Sequence, residues 1–149
     1  FWLPAAAASS AAAPAGQASS PPSGEGRILL MDDEKLVHGA IGRTLQRHGY
    51  EVVSTYSGEE AIRAFTEAED ARRPFDLVIM DLTVPGGMGG KDAVAELARL
   101  RPDVRAIATS GYSNDPALAD PGQFGFSGAL QKPFDLAGLL AAVSAALES

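Results

Sequence analysis

Four short, mostly apolar stretches of this 149-residue chain run into residues that can do chemistry. Asp32-Asp33 follows Ile28-Leu29-Leu30-Met31, and Asp81 follows Leu77-Val78-Ile79-Met80. Ser110 follows Ala106-Ile107-Ala108-Thr109, and Lys132-Pro133 follows Ala129-Leu130-Gln131. Carboxylates gathered within a few ångströms repel and partly protonate unless a cation joins them. A hard divalent ion resolves the repulsion. Mg2+ takes one or two carboxylates, keeps several waters and leaves room for phosphate oxygens. Lys132 adds a second, movable positive charge. A carboxylate between Mg2+ and an ammonium is set up as a phosphoryl acceptor. The two cations neutralise the equatorial oxygens while Asp81 attacks in line, and Ser110 can donate a hydrogen bond to the acyl phosphate that results.

That chemistry requires a fold that brings the four stretch ends together, and the chain has the pattern for one. Glu34 to His48 carries Val37, Ile41 and Leu45 on one helical stripe, with Gly49 as a stop signal. Val52 to Thr55 reads as a strand. Ser57 stands where it can cap the next helix, which carries Ala61, Ile62 and Phe65, and Glu60 sits three residues on as in a capping box. Lys91 to Leu100 forms a third helix, stopped by Pro102, and Phe134 to Leu147 a last one bearing Leu136, Leu139, Leu140, Val143 and Leu147. Between Ser113 and Gly125, Pro116, Pro121 and Gly122 allow a turn or two of helix at most. Strand starts recur about every 25 residues, one strand-helix unit each time. Strands that are apolar throughout imply a sheet covered on both faces, so the fold class is α/β, an open parallel sheet with helices on both sides. In such sheets ligands bind outside the carboxyl ends of the strands, at the topological switch point. Asp32, Asp33, Asp81, Ser110 and Lys132 all fall at those ends.

Composition narrows the function further. The net charge of −7 does not suit non-specific nucleic-acid binding, which needs Lys and Arg to neutralise phosphates, nor an anionic membrane surface. The absence of cysteine rules out disulfides, thiolate catalysis and Cys-ligated zinc, and fits a reducing compartment. No run of 18 apolar residues occurs, so nothing spans a bilayer as a helix. Residues 1–24 hold nine Ala, five Ser, four Pro and two Gly and no charge, and read as a linker that cannot bury enough apolar surface to offset its ordering entropy. A secretory signal over Phe1 to Ala15 would need a basic leading region, which is absent. Residues 25–149 form the one domain, and a chain that opens on Phe1-Trp2-Leu3-Pro4 reads as part of something longer.

Asp32-Asp33, Asp81, Ser110 and Lys132-Pro133, at these separations, resemble the receiver (response-regulator, CheY-like) domain of two-component signalling, over about Gly26 to Ser149. The resemblance implies a flavodoxin-like, doubly wound five-stranded sheet of order 2-1-3-4-5. It implies that Asp81 takes a phosphoryl group from a phosphohistidine on a histidine kinase phosphotransfer domain. Asp33 would bind Mg2+ directly, Asp32 mainly through water, and the backbone carbonyl of Thr83 would complete the protein ligands. Ser110 and Lys132 would contact the phosphoryl group, and the Lys132-Pro133 peptide would be cis. Charging would bias a bistable region formed by the fourth helix, fifth strand and last helix. Such a module catalyses its own phosphorylation but has no diffusing substrate, so it is read as a non-enzyme, cytoplasmic signalling part. The Gly-rich loop Thr83 to Gly90 resembles that of receivers fused to hybrid sensor histidine kinases, and Phe1-Trp2-Leu3-Pro4 resembles the last strand of a kinase ATP-binding domain. The phosphodonor can then lie in the same parent chain, which can be membrane-anchored, and a downstream phosphotransfer protein is a further partner. Nucleic acid and direct membrane contact are not expected, and the end at Ser149 without a basic domain disfavours a DNA-binding regulator.

The sequence departs from the family at Ala129, the switch position three residues before the lysine, where a receiver usually has an aromatic residue. The aromatic-rotation route for the signal is therefore not carried over, and the fourth helix is proline-broken. Two other functions stay open at this stage. An Mg2+-dependent aspartyl-nucleophile phosphatase needs the same residue types, but it usually places nucleophile and acid two residues apart on the first strand and encloses its substrate with a cap insertion. A degenerate receiver would bind partners without phosphate. Taken singly, Asp32-Asp33 would serve equally to cap a helix. Gly89-Gly90-Lys91-Asp92 fails as a phosphate-binding P-loop, because Asp92 stands where Ser or Thr must hold Mg2+. His38 and His48 read as surface histidines, Lys91 as a solvated helix-start residue, and Tyr112 as a residue of a mobile loop that can shield the site.

Overall fold

Unbroken apolar strands can be stable only if both faces of the sheet are covered, and the computed structural model, which describes residues 26–148, shows how the coverage is divided. The elements run β1 (Gly26–Met31), α1 (Lys35–Arg47), β2 (Tyr50–Thr55), α2 (Gly58–Asp70), β3 (Leu77–Asp81), α3 (Gly90–Leu100), β4 (Ala106–Ser110), α4 (Pro116–Ala119), a 3-10 turn (Pro121–Phe124), β5 (Gly128–Gln131) and α5 (Leu136–Glu148). All five strands are parallel, in the order β2-β1-β3-β4-β5, the order that the receiver resemblance implies. The linker expected over 1–24 and the Phe1–Pro4 segment lie outside the described residues.

The twofold alternation of strand side chains sorts the core into two layers. Leu29, Met31, Val78, Met80, Ala106 and Ala108 face α2 and α3, where Ala61, Phe65, Val94 and Leu97 meet them. Ile28, Leu30, Leu77, Ile79 and Ile107 face the other way, toward Ile41 and Leu45 of α1 and Leu139 and Val143 of α5. The central strands β3 and β4 are buried along their whole length. Among the described residues no helix is long and apolar enough to cross a membrane.

Helix starts follow local chemistry. Ser57 accepts the Glu60 N–H at 3.3 Å, as a capping residue should. The Glu60 carboxylate takes the N–H of Tyr56 at 3.2 Å, one residue earlier than in the standard capping box. The proline-broken stretch holds a single helical turn, α4, capped by Asp115 and followed by the 3-10 turn.

Glycine is required where α3 starts against the end of β3. A Cβ on Gly90 would lie 2.8 Å from the Asp81 carbonyl oxygen and 3.0 Å from the Met80 Cβ. Both neighbours belong to a fully buried strand, so neither can move away cheaply. Gly→Ala inside a helix normally gains about 0.5–1 kcal/mol. Gly90→Ala is expected to reverse that sign and lose about 1–3 kcal/mol of unfolding free energy in a urea titration; a neutral or stabilising result would show that α3 does not press on the strand that carries Asp81.

Candidate functional site

Strand register alone brings the polar residues together. Met31 pairs with Met80 across β1 and β3, so the residues that follow, Asp32 and Asp81, leave the sheet side by side. Asp81 pairs with Thr109 across β3 and β4, and Ser110 with Gln131 across β4 and β5, which puts Ser110 and Lys132 at the same edge of the sheet. β1 and β3 flank the point where strand order reverses, and their carboxyl ends open the crevice there.

Carboxylate oxygens of Asp32, Asp33 and Asp81 all lie within 4.8 Å of one another. Asp32 and Asp81 are buried and Asp33 is exposed. The Lys132 ammonium sits opposite, 2.7 Å from Asp32 Oδ2 and 3.5 Å from Asp81 Oδ2, so it leans on Asp32. The Lys132–Pro133 peptide that presents it is cis. Thr83 donates its N–H to Asp81 Oδ1 at 3.2 Å and lines an open cleft of about 440 Å3, shared with Asp33, Pro85, Tyr112 and Lys132. Ser110 is fully buried, and its hydroxyl oxygen accepts the Tyr112 N–H at 3.0 Å. Tyr112 is exposed at the cleft wall. Ala129 is half-buried against the α2/α3 side of the core, where it offers only a methyl group.

Several residues do more than their types announced. Glu34 brings a third carboxylate to Lys132 at 3.4 Å, beside those of Asp32 and Asp81, and its backbone N–H donates to Asp32 Oδ1 at 2.9 Å. Its adjacency to Asp33 was the available signal. His38, expected on the surface, is buried, with Nε2 2.7 Å from the Asp32 carbonyl oxygen. Its spacing of three from Ile41 places it toward the covered face of α1. His48 is half-buried, with Nδ1 2.9 Å from the Thr44 carbonyl. Lys91 is not simply solvated. It pairs with Asp115 at 3.1 Å and lies 4.9 Å over the Phe124 ring, tying the start of α3 to the α4 segment.

Burial, and then the Asp32 charge, push the Asp81 carboxyl up to about 6, against the opposing pull of the Thr83 N–H and of Lys132. Burial draws the Lys132 ammonium downward, but the Asp32 hydrogen bond and the charges of Asp81 and Asp32 outweigh it and the net movement is upward. The native state thus keeps the Asp81 proton to a higher pH than the unfolded chain does, and stability falls as pH climbs from about 4 through 6. At neutral pH without divalent metal, Asp81→Asn should therefore raise the unfolding free energy, by on the order of 1–2 kcal/mol after allowance for solvent in the cleft. Below pH ~4, where both forms are neutral, the gain should vanish. Thermal unfolding of both proteins across that range checks this; an Asp81→Asn protein less stable at pH 7 would contradict it.

Comparison with known proteins agrees with this geometry. Residues 28–144 match the response regulator receiver domain family. The sensor kinase CckA of Brucella abortus is 36% identical over 129 residues, which are 85% of this chain and 13% of that kinase. The response regulator GacA of Pseudomonas viridiflava is 34% identical over 119 residues, 78% of this chain and 53% of GacA. This chain therefore spans at most about half the length of these two curated relatives. Among solved structures, the response regulator TrrA of Thermotoga maritima, crystallised in complex with Mg2+-BeF, superposes with a TM-score of 0.71 at 29% identity, covering 82% of this chain and 99% of TrrA. With a matching family model over most of its length and an acidic crevice at the switch point of a 2-1-3-4-5 sheet, this chain belongs to the response regulator receiver domain family.

Proposed function

We propose that Asp81 is the phosphoacceptor of this receiver domain and that it takes its phosphoryl group from a phosphohistidine. The observation that carries the reading is the setting of the Asp81 carboxylate. One oxygen is fixed by the Thr83 N–H, the other faces Lys132, and two further carboxylates lie within reach of a shared cation. In the transfer, an Asp81 oxygen attacks phosphorus as the nitrogen–phosphorus bond breaks, and the donor imidazole leaves with the bonding pair. Lys132 turns from Asp32 toward the new phosphoryl oxygens. The Ser110 oxygen accepts from Tyr112, which leaves the Ser110 hydroxyl hydrogen free to donate to the phosphoryl group.

The donor set fits a hard divalent ion. It is all oxygen, it carries three formal negative charges, and in its absence Asp81 is pushed toward neutrality. Asp33, Asp81 and the Thr83 carbonyl would hold Mg2+, with Asp32 mainly through water. When bound, Mg2+ supplies charge neutralisation at the oxygens of the transferring phosphoryl group.

The wider context belongs to the same proposal. The module turns over no diffusing substrate. Its phosphodonor is the phosphotransfer domain of a histidine kinase, here one in the same parent chain, a hybrid sensor kinase. The identity with part of the sensor kinase CckA and the Gly-rich loop after Asp81 support that reading. A downstream phosphotransfer protein would receive the signal, and the domain would act in the cytoplasm whether or not its parent chain is membrane-anchored.

Incubation with acetyl phosphate and Mg2+ should add one phosphoryl mass to the wild type and none to Asp81→Asn, as read by intact-protein mass spectrometry. Retention of the modification in Asp81→Asn would overturn the assignment. Multiple turnover of a small phosphomonoester would indicate a phosphatase, and an unmodified wild type would indicate a phosphate-independent receiver. Because Asp81 must ionise before it can ligate, Mg2+ should bind roughly tenfold more weakly at pH 5 than at neutral pH in a calorimetric titration. Equal affinity at the two pH values would exclude Asp81 from the metal site.

A further inference from the structure

The Asp32 carbonyl sits in an awkward place. It lies past the last residue of β1, so no sheet partner reaches it, and before the Glu34 cap of α1, so no helical N–H does either. A buried carbonyl left without a donor is costly. The carbonyl is also half of the peptide that joins Asp32 to Asp33, so its orientation sets how both carboxylates hang from the chain. Every other polar group of Asp32 is held from nearby. Its N–H donates to the Thr55 carbonyl at 3.1 Å, Oδ1 accepts the Glu34 N–H at 2.9 Å, and Oδ2 accepts from Lys132 at 2.7 Å.

The missing donor comes from α1. His38 Nε2 stands 2.7 Å from the Asp32 carbonyl oxygen. A carbonyl oxygen has only lone pairs to offer, so the hydrogen of this bond resides on Nε2. The ring is held in place from outside by Tyr56, whose ring centroid lies 4.5 Å away at a 45° tilt. His38 is 8% exposed, and its Nδ1 is buried without a hydrogen-bond partner among the described residues. The imidazole is thus buried at the expense of one unpaired nitrogen, while its other nitrogen serves the acidic turn.

We infer that His38 is a positioning residue for the acidic site: its Nε2–H clamps the Asp32–Asp33 peptide and so presets the two adjacent carboxylates for a divalent cation. The inference rests on the reading of Asp32 and Asp33 as cation ligands. Groups that orient ligands from behind are worth about 10- to 100-fold in metal affinity. His38 would be such a group acting through the main chain, on the residue between the strand and the helix where no regular hydrogen bond is available.

Three variants separate positioning from plain packing. His38→Met keeps a similar volume and removes the donor. His38→Asn ends short of the Nε2 position. His38→Gln places an amide N–H close to where Nε2 stood. Calorimetric titration with Mg2+ should show about tenfold weaker binding for His38→Met and His38→Asn, and near-native binding for His38→Gln. A purely structural role would lower the melting temperature of all three and leave Mg2+ affinity unchanged, and that result would overturn the inference. One measurement on the wild type needs no variant to fold. A two-bond nitrogen–proton correlation spectrum should show the hydrogen on Nε2 of His38; a bare Nε2 would overturn the clamp. The Asp33 backbone nitrogen belongs to the clamped peptide, and its resonance should move in His38→Met and return in His38→Gln. If wild type fails to bind Mg2+ at all, the reading of the acidic site falls, while the tautomer and the Asp33 resonance still decide whether His38 holds the turn.

Discussion

Like charges held close together set the terms for this molecule. At the 4.8 Å limit that spans the three aspartates, and with an effective dielectric of about 20, the two buried carboxylates, Asp32 and Asp81, repel by about 3 kcal/mol when both are ionised, and exposed Asp33, screened by solvent, adds less. That is a sizeable fraction of the roughly 5–15 kcal/mol by which a domain is stable at all. Lys132 relieves part of the repulsion from 2.7 Å away, and the upward push on Asp81 relieves more by favouring a proton. The remainder is a standing attraction for a cation. On the proposed reading, affinity for metal and reactivity toward phosphorus would share one origin, an unfavourable charge arrangement that the rest of the fold is stable enough to hold.

Holding it takes a rigid frame. The two-layer core anchors β1, β3 and β4, whose inner residues are fully buried, so the strand ends cannot spread apart to relax the repulsion. The loop after Asp81 is pinned as well. Gly58 donates its N–H to the Met88 carbonyl at 2.9 Å, and Glu59 accepts the Met88 N–H at 3.1 Å, which staples the loop to the start of α2. The Glu59 carboxyl is drawn below its usual range, first by its own backbone N–H and then by that of Met88. Lys91 ties the far end of the loop to Asp115 and Phe124.

The exit from the site is built differently from its walls. Ala129 places only a methyl group on the α2/α3 side of β5. The contacts leading away from the end of β4 are polar instead: Ser110 accepts from the Tyr112 N–H, the Tyr112 carbonyl accepts from the Asp115 N–H, and Asp115 caps α4 while it pairs with Lys91. A short α4 held by these few contacts has little apolar surface of its own, with Ala117 its buried residue. Elements of that kind lie at the low end of local stability and are the ones able to shift.

The parallel α/β frame was legible from the residues alone, because apolar runs without alternation and a regular strand-helix spacing admit few other arrangements. So was the set of side chains that meets in the crevice, since in a parallel sheet the carboxyl ends of the strands all emerge on one side. Asp32, Asp33, Asp81, Ser110 and Lys132 were legible for that reason. How they are partnered was not legible in the sequence. That Lys132 rests on Asp32, that Glu34 joins it, and that His38 turns inward to the Asp32 carbonyl all depend on distances between segments far apart in the chain or on which side of a helix is covered. Periodicity names the residues on a covered face. A histidine there looks like a misplaced polar residue until the unpaired carbonyl beside it is seen, and that carbonyl appears only once β1 has ended and α1 has not yet begun.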